Sequence, residues 1–264
     1  MRTLIIQSHR SPLPLPWLQP CIDSVARWSR LYGFDYRWLG DELFASVSAV
    51  LRNKTRTHLP MTADLARLHT LQQALSEGYE RVAWVDADVL VVAPERLELD
   101  ARDHAFGREV WVQTDPRDSA RNKSLRTYRK IHNAFMWFTP ASTVLPFYTD
   151  TATRLLERHQ GAQLAPQFIG PKLLTALHNL AQFNVHEGAA MLPPLVARDL
   201  VQQQPDAPVG AALSAFAQNS TLRPGALNLC SSLHQELASL AVNVPALIDQ
   251  LLADDIPWPG ISQD

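Results

Sequence analysis

The sequence predicts an α/β protein with a mainly parallel sheet. Three observations carry this. Apolar strand-like runs alternate with stretches of helical period over residues 1–94. The chain has 264 residues, 46% of them hydrophobic, which is enough for one sizeable core. No repeat, low-complexity tract or clear linker divides it, so a single domain over 1–264 is expected.

The elements follow in order. TLIIQS (3–8) reads as the first strand, and the proline-punctuated SPLPLP (11–16) as a loop. Leu18, Cys21, Ile22, Val25, Trp28 and Leu31 recur close to helical period, and Gly33 fits a helix stop. FDYRWLG (34–40) alternates as a second strand, followed by a helical stretch from Asp41 to about Leu51. Another helix follows Pro60, with Thr62 as candidate N-cap and Leu65, Leu68, Leu71 and Leu75 as its apolar face. Gly78 ends it, and an apolar strand over 81–92 is closed by Pro94. Strand, helix, strand, helix, strand is the order of parallel crossover connections.

Further on, EVWVQT (109–114) and IHNAFMWFT (131–139) read as strands, and the polar, basic 115–130 between them as a loop. Residues 145–159 read as helix. FIGPKLLTALHNL (168–180) combines a Gly-Pro start with a helix, and FNVHEG (183–188) reads as a strand. After 195 the chain is Ala/Leu-rich and helical, broken at Pro205, Pro208, Pro224 and Pro245.

Composition narrows the function. A formal net charge of -2 argues against nucleic-acid binding by bulk charge. Cys21 and Cys230 lie far apart with no CxxC spacing, so neither a disulfide framework nor a zinc site is expected, and a reducing cytoplasm is the simplest setting. The apolar stretch in MRTLIIQSHR is too short for a secretory signal. No run reaches the roughly 18–20 apolar residues of a membrane span, so any membrane contact is expected to be peripheral.

The chemistry concentrates in ERVAWVDADVLVV (80–92). On a strand, residues two apart share a face, so Asp86 and Asp88 would point together while Val85, Ala87 and Val89 enter the core. The pair lies late in the strand, and open α/β sheets bind ligands beyond the carboxyl ends of their strands. Two neighbouring carboxylates repel unless something positive lies between them. Mg²⁺ and Mn²⁺ favour such oxygens, and a bound cation could hold a diphosphate. The plain alternative is an acidic strand end that is solvated or paired with an arginine.

Residues 61–94, MTADLARLHTLQQALSEGYERVAWVDADVLVVAP, combine an Asp-x-x-Arg helix, a glycine, and an apolar strand ending in Asp-x-Asp. This combination resembles the GT-A glycosyltransferases of the "sugar-binding region containing DXD" group. That group includes capsular-polysaccharide and mannosyl transferases and is related to the clostridial glucosylating toxins. The resemblance implies a GT-A (Rossmann-like), mixed but mainly parallel sheet flanked by helices, with a helical C-terminal part. It implies a nucleotide-sugar-binding half over 1–140 and an acceptor-side half over 141–264. The implied activity is metal-dependent transfer of a sugar from a nucleotide-diphosphate sugar, a UDP-sugar favoured, with retention of configuration and with Mn²⁺ or Mg²⁺. A bacterial, cytoplasmic enzyme is expected.

The resemblance also implies residue roles. Asp88 would bind the metal, and Asp86 the metal or the ribose. Asp64 would accept hydrogen bonds from donor-sugar hydroxyls, with Arg67 beside it near sugar and phosphate. The plain alternative for Asp64 and Arg67 is an exposed i,i+3 ion pair, worth roughly a few tenths of a kcal/mol. Asn133, with His132 next to it, matches the Asn-Ala step lining the donor or acceptor pocket, and Gly170-Pro171 matches a helix start near the acceptor. Gln7, Ser8 and His9 are candidates for the nucleotide base by position, and Tyr36 or Trp38 for stacking on it. Arg121, Lys123 and Arg126 are candidates for a phosphate lid.

The C-terminal end departs from the pattern. Where the family often has His-x-x-x-Ser-Trp, this chain has NLCSSL, with Asn228 at the His place, Ser232 at the Ser place and Leu233 replacing Trp. Asn228 or the nearby His234 would be the third metal ligand, and Ser232 a pyrophosphate contact. Two rivals stand beside this reading. A haloacid-dehalogenase-type phosphohydrolase also uses Asp-x-Asp after an apolar strand, with Asp254 and Asp255 mimicking its late acidic pair. A catalytically silent GT-A-like domain would bind a sugar nucleotide or a protein without transfer. The acceptor is left open among glycan, lipid-linked intermediate, small molecule and protein.

Overall fold

The computed structural model describes residues 1–118, 124–159, 167–203, 208–253 and 258. The alternation of β1 (Thr3–Ser8) builds two layers at once. Leu4 and Ile6 pack with Leu65 and Leu68 of α3 (Leu59–Ser76) and with Tyr148 of α4 (Val144–Arg158). Ile5 points the other way, onto Val25 and Trp28 of α1 (Leu18–Leu31). Helices therefore cover both faces, and the central strands are apolar on both.

Two strands, β2 (Asp35–Leu39) and β3 (Arg81–Val85), flank β1 in parallel. The sheet continues through β6 (Leu125–Phe138), β5 (His104–Thr114), β7 (Val185–Met191), β8 (Ala226–Asn228) and β4 (Val89–Val91), in the order β2-β1-β3-β6-β5-β7-β8-β4. Four of its seven neighbouring pairs are parallel and three antiparallel, so it is mixed and mostly parallel. A second apolar layer forms where α6 (Pro194–Gln202), α7 (Ala211–Asn219) and α9 (Val244–Leu252) cover Val110, Val112, Ala190 and Leu227.

The order of strands forces a curl. β3 and β4 are joined by only Asp86, Ala87 and Asp88, yet β6, β5, β7 and β8 stand between them in the sheet. Five strand spacings in a flat sheet span about 24 Å. The link from Val85 to Val89 reaches at most about 14 Å. The sheet therefore bends round on itself, with the acidic turn at the seam.

Several elements differ from their sequence signals. The helical stretch after Asp41 is two pieces, a 3₁₀ turn over Asp41–Ser46 and α2 (Ala49–Lys54), because Ser48 caps the second by accepting from Leu51 N. Pro60 lies in the first turn of α3, so Thr62 is not an N-cap. It lies inside the helix, where its hydroxyl meets that of Thr55 at 2.6 Å. The apolar run over 81–92 is not one strand: it breaks at Asp86–Asp88 into β3 and β4. β5 begins at His104 and β6 at Leu125, which shortens the loop expected over 115–130. The charged residues hid a strand whose outward face is polar. The C-terminal part contains β8 and α8 (His234–Ser239) besides its longer helices. Among the described residues, no helix is long and apolar enough to cross a membrane.

Candidate functional site

The seam of the curled sheet gathers the polar residues. Asp86 N donates to Ala134 O at 2.8 Å, which fixes the turn against β6. Ala87 is buried, while Asp86 and Asp88 both face the same cavities. The shared direction expected from strand alternation thus arises from a turn.

Each carboxylate is clamped. Asp86 Oδ1 accepts from Trp84 Nε1 at 2.6 Å and meets Arg67 at 3.2 Å. Asp88 Oδ1 accepts from Asn228 Nδ2 at 2.8 Å, and its Oδ2 accepts from Ser231 N at 2.8 Å and Ser231 Oγ at 2.6 Å. Asp64 Oδ1 accepts from Asn133 Nδ2 at 2.8 Å and lies 3.5 Å from Arg67. Arg67 also donates to Asn133 O at 3.0 Å, and its guanidinium lies over the Trp84 ring at 5.2 Å. Asp64 and Arg67 are both buried, so this is not an exposed helix pair.

Burial sets the electrostatics. It pushes the Asp64 carboxyl up from its usual range, against the opposing pull of Arg67 and Asn133. It pushes Asp88 up too, and the Asp86 charge adds to the effect while Ser231 opposes it. For Arg67, burial works against the charge, but Asp86 and Asp64 outweigh it and hold the guanidinium charged. Three carboxylates thus converge, and Arg67 pairs with two of them while neutral donors hold Asp88.

The donor set fits a hard divalent cation. Asp86 Oδ2 has no hydrogen-bond partner among the described residues, and Asp88 Oδ1 has accepted only one donor. Two carboxylates completed by water and phosphate oxygens are the usual way of holding Mg²⁺. Among the described residues, no group of three His, Cys, Asp or Glu is arranged to hold a metal ion. Asn228 differs from its expected use as an oxygen ligand. Its Oδ1 accepts from Cys230 N at 2.7 Å, and that main-chain donor orients the amide so that its nitrogen faces Asp88. His234 is exposed, bonded to Ser231 O at 3.2 Å, and lines neither cavity described next.

Two cavities meet at this cluster. One, of about 510 Å³, opens at the end of β1 and is walled by Ser8, His9, Gly40, Phe44 and Leu59. The other, of about 600 Å³, is walled by Asp64, Asn133, Glu109, Trp111, Lys172 and Ser232. Arg67, Asp86 and Asp88 line both, and both volumes suit small-molecule ligands.

Other expected site residues have different surroundings from those expected. Gln7 is fully buried behind the turn: its Nε2 donates to Asp86 O at 3.1 Å and its Oε1 accepts from Tyr36 Oη at 3.0 Å. It supports the turn and lines neither cavity, and Tyr36 and Trp38 line neither as well. His132 lines the second cavity but is spent on structure. Ala134 N donates to its Nδ1 at 3.2 Å, so Nε2 carries the proton toward Ala189 O, and burial pulls its pKa down to about 4. Arg126 pairs with Asp115 at 3.5 Å. Arg121, Lys123, Asp254 and Asp255 lie outside the described residues.

Residues that sequence reasoning missed complete the site. Ser231, one position before the expected Ser232, supplies two donors to Asp88. Trp84 stands two residues before Asp86 on the same face, the signal that could have found it. Gly170 caps the start of α5 (Pro171–Ala181), and a Cβ there would lie 2.5 Å from Asp64 Oδ2, so any side chain at this position would push that carboxylate aside.

No family model and no curated protein matches the chain. Among solved structures it is similar to a glycosyltransferase involved in the glycosylation of the major capsid of PBCV-1, at 11% identity and TM-score 0.42, over 90% of this chain and 98% of that one. It is also similar to mannose-1-phosphate geranyltransferase from Thermus thermophilus, at 15% identity and TM-score 0.29, over 61% of this chain and 66% of that one.

Proposed function

We propose that the chain is a metal-dependent glycosyltransferase of GT-A type, moving a sugar from a nucleotide-diphosphate sugar, a UDP-sugar favoured, with retention of configuration. One observation carries the reading: Arg67 bridges Asp64 to Asp86, beside Asp88, where two cavities meet. A donor and an acceptor need two cavities and one shared point of contact.

The first cavity takes the nucleotide, with Ser8 and His9 at the base end. Asp64 accepts hydrogen bonds from donor-sugar hydroxyls; Asn133 and Arg67 hold its carboxylate in place, and the bare Gly170 leaves room for it. Arg67 opposes the negative charge that gathers on the diphosphate as the sugar–phosphate bond breaks. Trp84 and Ser231 fix Asp86 and Asp88 so that neither carboxylate has to reorganise. Mn²⁺ or Mg²⁺ held by Asp86 and Asp88 would supply Lewis-acid stabilisation of the leaving diphosphate. Ser232, exposed and lining the second cavity, would contact the pyrophosphate where the two cavities join. Buried, unpaired Cys21 and Cys230 suit a cytoplasmic setting.

The test is a thermal-shift screen of UDP, GDP, CDP and dTDP and their sugar conjugates, each with Mn²⁺ or with EDTA. A ligand of the folded state raises the melting temperature by mass action. A rise with a nucleoside diphosphate that EDTA abolishes is expected. A response only to inorganic phosphate and Mg²⁺ would replace this reading with phosphohydrolysis.

A further inference from the structure

The second cavity continues past the acidic turn along one face of the β5/β6 hairpin. Glu109, Trp111 and Gln113 alternate along β5 and share that face, while Val110 and Val112 are buried on the other. The register sets Lys130, Tyr128 and Arg126 opposite them. The first pair forms an ion pair: Lys130 Nζ lies 3.6 Å from Glu109 Oε1. Lys130 and Arg126 both lie over the Tyr128 ring, 5.4 and 5.6 Å from its centre. Trp111 donates from Nε1 to Gln113 Oε1 at 3.1 Å, which holds the indole in place. Trp111 is half-buried, and Glu109 is buried at 9% exposure.

From this we infer that the hairpin face is an acceptor subsite for a saccharide, with the sugar ring on Trp111 and its hydroxyls on Glu109, Gln113 and Lys130. The inference rests on the transferase reading only for the word acceptor; the binding it claims stands by itself. A pyranose has an apolar C–H face and a rim of hydroxyls. It asks for one flat aromatic surface edged by acceptors and donors, which is what this hairpin presents. A lipid tail would leave Glu109 and Lys130 buried against hydrocarbon without hydrogen-bond partners for their free positions. The same cavity reaches Asp86 and Asp88, so a saccharide seated on Trp111 lies in one continuous space with the donor site.

The test uses the whole chain and an array of immobilised mono- and oligosaccharides, probed with UDP and Mn²⁺ present. Wild type is compared with Trp111→Ala, Trp111→Phe and Gln113→Ala, with far-UV circular dichroism reporting the fold. The expected result is saccharide binding by wild type, at least about tenfold weaker in Trp111→Ala, the equivalent of one aromatic contact, and largely restored in Trp111→Phe. The nucleotide-dependent thermal shift should survive in all three variants. Saccharide binding that Trp111→Ala leaves unchanged overturns the inference, as does a wild type that binds nucleotide and no saccharide. Loss of the nucleotide response in Trp111→Ala would make this the nucleotide cavity and overturn it too. Saccharide binding at Trp111 without any nucleotide response would uphold the subsite and sink the transferase reading instead.

Discussion

Asn228 reaches across 140 residues of chain to donate its amide to Asp88, and its oxygen accepts Cys230 N–H at the same time. The side chain is buried, and both of its ends are occupied. Asn228→Ala would leave the buried Cys230 N–H without its acceptor and take from half-buried Asp88 one of its three donors. The expected loss is about 1–3 kcal/mol of unfolding free energy per unsatisfied group, read by urea denaturation. A loss within error of zero would mean that water replaces the amide. Asn228→Asp should also destabilise the protein, and Mn²⁺ should then raise its melting temperature more than it raises that of wild type.

Asp88→Asn keeps the volume and removes the charge. Metal-dependent nucleotide binding is expected to disappear while far-UV circular dichroism stays that of wild type. Calorimetric titration with UDP and Mn²⁺ checks this, and an unchanged affinity would remove Asp88 from the metal site.

Asp64 contacts Asn133 and Arg67 and lies beside Gly170. Asp64→Ala should weaken binding of the intact sugar nucleotide more than binding of the free nucleoside diphosphate. Equal losses for both would contradict a sugar contact. Gly170→Ala should act in the same direction, because its added carbon displaces the Asp64 carboxylate.

How much of this was legible follows from where each signal resides. The layered α/β order could be read because β1, α1, α3 and β3 carry their own periodicity. The Asp64, Arg67, Asp86 and Asp88 cluster could be read because all four fall within one short stretch. Ser231 and Asn228 could not be assigned as clamps of Asp88, since nothing local shows that β8 returns to the seam. Glu109 and Lys130 were invisible for a related reason. Their pairing depends on the β5/β6 register, and the charges of 115–130 disguised the start of β6. Gln7 was misplaced because the end of a first strand carries no mark of which way a side chain turns.

His132 gives a pH signature. Its folded pKa of about 4 lies below the ordinary histidine value of 6.5, because burial disfavours the imidazolium. A depressed histidine means that the unfolded chain binds more protons between those values. Stability is then fully present above about pH 6.5 and is lost as pH falls toward about 4. The shift corresponds to roughly 3 kcal/mol from this residue. Chemical denaturation from pH 4 to 7 checks it, and His132→Gln should flatten the profile in that window.

The seam of the sheet also bears on synthesis. Asp86 and Asp88 leave the ribosome long before Ala226–Asn228 and Ser231, which close the sheet beside them. Until those last strand residues arrive, the early half of the chain holds two carboxylates with half their partners missing. The acidic turn is thus completed only by the returning end of the chain, and a polypeptide cut short before residue 226 cannot display it in finished form.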